Sequence, residues 1–239
     1  MEERFGEFFK DKNYIKIKDS LFNYLNRKNE VEKAFLIYNS NSGKALDIGS
    51  GISPISPIPK KTLFMDLSED GINFLKKQGY NAKVGSITKI PLKDNGFDWI
   101  FCSEVLEHIK NYKKAIKELS RVVKKGGKII ITVPVYMRYW HSDDEFVGHY
   151  RRFNPKELRK DLEKSELKIL EEKPIGSIIE RYLTLFIVKI FKTSNKPLTN
   201  FKVPPIILIN KILYLIVRLS LVFNSKRSTS IMLYVCEKE

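Results

Sequence analysis

The sequence predicts an α/β fold in which a mostly parallel sheet carries helices on both faces, and three observations predict it. Short apolar runs alternate along the chain with longer amphipathic segments, the pattern that strand–helix–strand crossovers require. Lys128–Val133 is almost continuously apolar, as a strand buried on both faces must be. The run Ala45-Leu46-Asp47-Ile48-Gly49-Ser50-Gly51 ends in an acid and a glycine-rich turn, and the next apolar run ends in a second acid, Asp66, nineteen positions after Asp47. At 239 residues the chain is long enough to bury one sizeable core.

Taken in order, residues 1–43 read as a helical lid, because Ile17, Leu21, Phe22, Leu25, Val31, Phe35 and Leu36 recur at helical spacing on one face. Lys44–Ile48 and Lys61–Asp66 read as two core strands. Between them stand Pro54, Pro57 and Pro59, each lacking an amide donor and constraining the residue before it, so no ordinary helix forms there. Ser68 is placed to cap a helix through Lys77 that Gly79 ends. Asn81–Val84 and Phe97–Ser103 are the third and fourth strands, separated by the turn Lys93-Asp94-Asn95-Gly96. A helix with Tyr112, Ala115, Ile116, Leu119 and Val122 on one face follows, and Gly126-Gly127 closes it before the fifth strand. Asn154, Pro155 and Glu157 start a helix to Lys164, and strands near Leu167–Leu170 and over Thr229–Cys236 bring the sheet to seven. The expectation is a Rossmann-like unit over residues 44–174 with 229–239, preceded by the lid and interrupted before its last strand by an insertion, 175–228.

That insertion is apolar. Ile178–Lys192 gathers Glu180, Arg181, Thr184 and Lys192 on one side, and Ile206–Phe223 confines Asn210, Lys211, Tyr214 and Arg218 to a narrow stripe. Cations in mid-helix make a poor transmembrane span, since each costs about 2.5–3.5 kcal/mol at the bilayer centre. Two arrangements stay open: a helix lying in a membrane interface with Lys211 and Arg218 reaching headgroups, and a helix pair packed as a cap or dimer contact.

An acid and glycines at the end of the first strand, with a second acid ending its neighbour, suit a nucleoside-like ligand: glycines admit close approach and the second carboxylate accepts from both ribose hydroxyls. A pyrophosphate is disfavoured by Pro54, which stands where a dinucleotide fingerprint has its third glycine. S-adenosylmethionine is the common ligand with a ribose and no phosphates. Asp47, Gly49, Ser50 and Gly51 would then shape its pocket, Asp66 would hold the ribose, and Leu67 would pack on the adenine.

Asp47-Ile48-Gly49-Ser50-Gly51, Asp66, the block Phe97-Asp98-Trp99-Ile100-Phe101-Cys102-Ser103-Glu104-Val105-Leu106-Glu107-His108-Ile109 and Leu119–Lys128 resemble, in order and spacing, the motifs of class I S-adenosylmethionine-dependent methyltransferases. The resemblance spans about Lys44 to Pro134 and is nearest the small-molecule branch of methyltransferase type 11 that includes polyprenyl-hydroxybenzoate O-methyltransferases. It implies an enzyme that transfers the methyl group in line to an acceptor, with Ser103 and Glu104 beside that methyl group. The chain departs from the pattern at the proline-rich first crossover and at Gly85-Ser86-Ile87, where the family often has an acid that reads the adenine amino group; backbone groups at Ser86 and Ile87 are expected to do this instead.

All three histidines, His108, His141 and His149, fall where a methyltransferase has its acceptor site, so each is a candidate base for an acceptor hydroxyl. The string Asp144-Glu145-Phe146-Val147-Gly148-His149-Tyr150-Arg151-Arg152-Phe153 resembles an element of some glycan- and lipid-modifying methyltransferases, which makes Tyr150, Arg151 and Arg152 candidates for gripping an acceptor's phosphate or carboxylate. Glu107 and His108 are expected to begin the helix after the fourth strand; Glu104, Glu107 and His108 match positions thought to hold magnesium in some ubiquinone-pathway methyltransferases, their i, i+3, i+4 spacing placing them on one helical face, and Asp143, Asp144 and His149 could form a hard-ligand group. Such residues more often cap a helix, and no metal is assigned.

The net charge of +15 points to an anionic membrane surface, to nucleic acid, or simply to a lysine-solvated surface. Nucleic acid is disfavoured: no N-P-P-[YF] turn or Pro-Cys pair follows the fourth strand, and no compact basic patch is interleaved with aromatics. Cys102 and Cys236 sit in apolar runs as buried thiols, and the charged start Met1-Glu2-Glu3-Arg4 lacks an apolar leader, so a cytoplasmic location is expected, extending to the inner face of a membrane. The preferred reading is O-methylation of a small or lipid-linked acceptor. Its alternatives are an RNA methyltransferase and a non-enzymatic cofactor-binding scaffold of a membrane complex. The oligomeric state stays open.

Overall fold

The computed structural model describes residues 12–39, 43–194 and 203–239. Two helices come first, α1 (Lys12–Ile17) and α2 (Phe22–Tyr38), followed by β1 (Ala45–Ile48), β2 (Thr62–Asp66), α3 (Glu69–Lys77), β3 (Ala82–Val84), β4 (Phe97–Ser103) and α4 (Tyr112–Val122). Then come β5 (Val123–Pro134), α5 (Ser142–Phe146), α6 (Pro155–Glu163), β6 (Leu167–Gly176), α7 (Ile178–Ser194), α8 (Val203–Ser220) and β7 (Ile231–Lys238). The sheet is open and seven-stranded in the order β3-β2-β1-β4-β5-β7-β6, with β7 antiparallel to both its neighbours and the remaining pairs parallel.

The strands bury both faces because their side chains alternate across the pleat. Leu46, Ile48, Ile100, Cys102, Ile129 and Ile131 pack with Ala115, Ile116 and Leu119 of α4 and Leu158 and Leu162 of α6. Ala45, Trp99, Phe101, Ile130, Leu233 and Val235 face the other way, onto Tyr24, Val31, Ala34 and Phe35 of α2. Phe35 meets the Trp99 ring edge-on at 4.9 Å. Burying Val31 and Phe35 contributes about 1.5–3 kcal/mol each, which holds α2 to the sheet. Both cysteines are free thiols within this core.

Several boundaries differ from expectation for local reasons. Leu36 is 66% exposed; Tyr24 and Ala34 complete the buried face of α2 instead. The strand expected near Leu167–Leu170 runs on to Gly176, through the half-buried, polar Glu171-Glu172-Lys173, which carries no apolar strand signal. Between Gly51 and Lys61 there is no α-helix, only the tight turn Pro59–Lys61, and Asp47 supports this loop by accepting from the amides of Ile55 and Ser56, both at 2.8 Å. Glu107 and His108 do not begin a helix. They lie in a 3-10 turn, Leu106–His108, and α4 starts only after Asn111 caps it.

Candidate functional site

The C-terminal ends of the parallel strands gather the predicted ligand residues at one edge of the sheet, where open α/β sheets bind their ligands. At the end of β1, Gly49 has φ +75°, and a Cβ there would lie 2.3 Å from Val105 Cγ2, so only glycine fits. Its amide donates to Met65 O at 2.7 Å, tying the turn to β2. Gly51 N and Ser68 N donate to the two Asp66 carboxylate oxygens, each at 2.8 Å. Burial pushes the Asp66 carboxyl up while these amides pull it back. Each oxygen keeps a lone pair for a further donor, which is what a ribose diol supplies. Ser50 is buried, and its hydroxyl has no hydrogen-bond partner among the described residues.

Asp47 is wholly buried, and burial raises its carboxyl to about 7 against the opposing Ser56 and Ile55 amides. These two bonds hold the proline-rich loop that follows β1. Leu67 stays 53% exposed beside Asp66, in place to cover a planar base. Gly85 N donates to the Asp66 main-chain carbonyl at 2.9 Å, which continues the β2–β3 pairing and sets the turn 85–87 beside the end of β2; Ser86 Oγ bonds Thr88 Oγ1 at 3.0 Å and the Ile87 side chain is buried in the core. Ser103 Oγ lies 2.8 Å from Thr132 Oγ1, and that hydroxyl donates to Glu104 Oε1 at 3.1 Å. Glu104 stands at the tip of β4 with φ 54°, a left-handed conformation that aims its side chain out of the strand's alternation. Thus no helical face collects Glu104, Glu107 and His108, contrary to their spacing. The orphaned Ser50 hydroxyl, the glycine-only turn and the amide-held Asp66 fit an adenosyl ligand without phosphates.

Next to this edge lies a buried polar cluster. His149 Nδ1 is 2.8 Å from Asp144 Oδ1, and the His149 and His108 rings meet edge-to-face at 4.6 Å. His149 Nε2 lies 3.8 Å from Glu107 Oε1. Glu107 is fully buried; burial and the Glu104 charge push its carboxyl well up, and neither of its oxygens has a hydrogen-bond partner among the described residues. Burial and the His149 charge lower His108 to about 4. Glu107, His108 and His149 are also the one group among the described residues close enough to share a metal ion. For Asp144, burial raises the carboxyl, but hydrogen bonds from His149 and Arg152 outweigh it and bring it to about 2.

Four predicted residues surround this cluster in other roles. His141 is exposed and opens α5, its amide donating to Asp144 Oδ2 at 3.0 Å. Arg152 is not an acceptor clamp: it is buried against Asp144 and the Ser230 carbonyl. Arg151 spends both terminal nitrogens on the carbonyls of Ile109 and Lys110 and stacks 4.8 Å over the Tyr112 ring. Tyr150 is exposed and tied to the cluster through its amide, which donates to Glu107 O at 2.9 Å.

Arg181 of the insertion joins the cluster from afar, while its neighbour Glu180 is buried against α2. Arg181 of α7 chelates Asp143, bonds Asp144 Oδ2 at 2.9 Å and donates to Tyr139 O at 2.7 Å. Glu180 accepts from Asn26 Nδ2 at 2.9 Å, and burial raises its carboxyl to about 8 although the Arg27 charge opposes it. The sequence signal was adjacent acid and base in an apolar helix; their partners lie more than 30 residues away.

Residues 46–131 match the family model described as a methyltransferase domain. A protein of Methanocaldococcus jannaschii described as uncharacterised is 34% identical over 128 residues, 51% of this chain and 54% of its own length. A demethylmenaquinone methyltransferase of Bacillus pumilus is 28% identical over 134 residues, 50% of this chain and 57% of that protein. The chain spans about half the length of the curated relatives it matches. Among solved structures, Haemonchus contortus phosphoethanolamine N-methyltransferase 2 in complex with S-adenosyl-L-methionine aligns with TM-score 0.58 and 16% identity over 98% of this chain and 60% of that one, a likeness of fold.

Proposed function

Because residues 46–131 form a class I S-adenosylmethionine-dependent methyltransferase domain, we propose that the chain methylates a hydroxyl oxygen of a small or lipid-linked acceptor, with His149 as base. The observation that carries the reading is the Asp144–His149 pair at 2.8 Å. Asp144, held anionic by Arg152 and Arg181, fixes the proton on Nδ1 and leaves Nε2 to accept. Burial lowers His108 to about 4, which makes it a poor base.

The sulfonium ligand supplies an electrophilic methyl group. When it is bound, His149 Nε2 would take the acceptor hydroxyl's proton as that oxygen receives the methyl group, and the sulfonium would be left as a neutral thioether. Burial, which pushes the Glu107 carboxyl well up, disfavours a competing negative charge beside Nε2. Asp66 and the Gly49–Gly51 turn hold the nucleoside end, so that much of the rate comes from position. The relative named as a demethylmenaquinone methyltransferase supports a small-molecule acceptor.

The test is His149→Asn, assayed with labelled S-adenosylmethionine against phenolic, isoprenoid and glycolipid hydroxyls. Turnover should fall about 10²–10⁴-fold while cofactor binding by calorimetry is kept; unchanged turnover refutes the assignment.

A further inference from the structure

Both insertion helices are turned inside out. On α7 the polar residues Glu180 and Arg181 are buried against Asn26, Asp143 and Asp144, while Ile179, Tyr182 and Phe186 face outward. On α8 the amide of Asn210 accepts from Phe22 N at 3.1 Å and Arg218 pairs with Glu30, while Leu208, Leu215 and Leu219 are exposed. The stripe continues to Phe223, 89% exposed. A helix on a water-facing surface has the reverse arrangement. Pro204–Phe223 has mean hydropathy 2.2 and only about 17% of it is buried, so an apolar face far larger than isolated surface residues produce is left open.

Charge selects what covers it. Glu180 is the only acid between residues 175 and 228, and it is buried, whereas Lys189, Lys211, Lys226 and Arg227 are exposed. We propose that α7 and α8 dock the chain on an anionic membrane surface, lying in the interface with these cations at headgroup level. A second copy would bring like charges together across the contact. A transmembrane course would strip Asn210 and Arg218 of the partners that hold α8 along α2. Arg218 therefore stays on the protein side, and Lys211 is the helix's headgroup cation. On the reading of His149 as base, Arg181 makes α7 the link between this surface and the acceptor site; docking itself does not depend on methyl transfer.

The experiment is sedimentation of the full chain with phosphatidylglycerol or phosphatidylcholine vesicles at low and high salt. We expect binding to phosphatidylglycerol that weakens with salt, falls about five-fold in Lys211→Ala, and falls at least about ten-fold in Leu215→Asp/Leu219→Asp. Both leucines are exposed, so thermal unfolding and S-adenosylmethionine binding should be unchanged in that variant, which separates docking from the enzymatic reading. Absence of vesicle binding, equal binding to both lipids, or a salt-stable dimer that Leu219→Asp dissociates would each overturn the proposal.

Discussion

Asp144→Asn tests the structural basis of the candidate base most sharply. The carboxylate is fully buried and serves three cationic or protonated partners, His149, Arg152 and Arg181. Its shift from 3.8 to about 2 corresponds to about 2–3 kcal/mol of stabilisation at neutral pH. An amide keeps the shape but removes the charge. Arg181 retains Asp143, whereas Arg152 is left with the Ser230 carbonyl, so the loss belongs at the lower end of the range for a broken buried pair, about 3 kcal/mol. Because the folded-state value is depressed, this stability is present above pH 4 and disappears as pH falls toward 2. Urea unfolding at pH 7 should show the deficit, and the gap between wild type and variant should close in acid. A deficit under about 1 kcal/mol at pH 7, or one constant down to the acid limit, refutes the reasoning.

Glu180→Gln should stabilise the chain by up to about 3 kcal/mol at pH 7: the raised carboxyl binds its proton in the folded state between 4.5 and about 8, so wild-type stability declines with rising pH through that window and the variant's does not, as urea unfolding at pH 5 and 8 will show. Gly49→Ala should cost at least about 2 kcal/mol, from the left-handed backbone and the Val105 contact, and Val105→Ala should recover part of it in a double-mutant cycle followed by thermal unfolding. Arg181→Met should loosen α5 and lower turnover more than cofactor affinity, read as separate changes in kcat and in calorimetric Kd.

The sheet was legible because its signals are local. Phe97–Ser103 has the predicted bounds, Ser68 accepts from Gly71 N at 3.2 Å as a helix cap should, and Asn154 does the same for Lys156 N at 3.0 Å. Asp66 was legible as a strand-end acid. The acceptor side was not, because its geometry depends on partners distant in sequence. Periodicity put Glu180 and Arg181 on one side of a helix without saying that this side faces inward; Asn26 and Asp144 decide that. Arg151 and Arg152 resembled an anion clamp, yet the carbonyls of Ile109 and Ser230 and the Asp144 carboxylate claim them. The spacing of Glu104, Glu107 and His108 suggested one helical face, and the positive φ at Glu104 with the 3-10 turn after it breaks that face.

Titrating the chain with S-adenosylmethionine and with its demethylated product in a calorimeter tests the nucleoside site most directly. One site per chain is expected, weakened by about ten-fold or more in Asp66→Ala, since the carboxylate that the Gly51 and Ser68 amides orient can no longer accept from the ribose hydroxyls. No binding by the wild type, or equal binding by Asp66→Ala, would contradict the placement of the adenosyl group between the β1 turn and the end of β2.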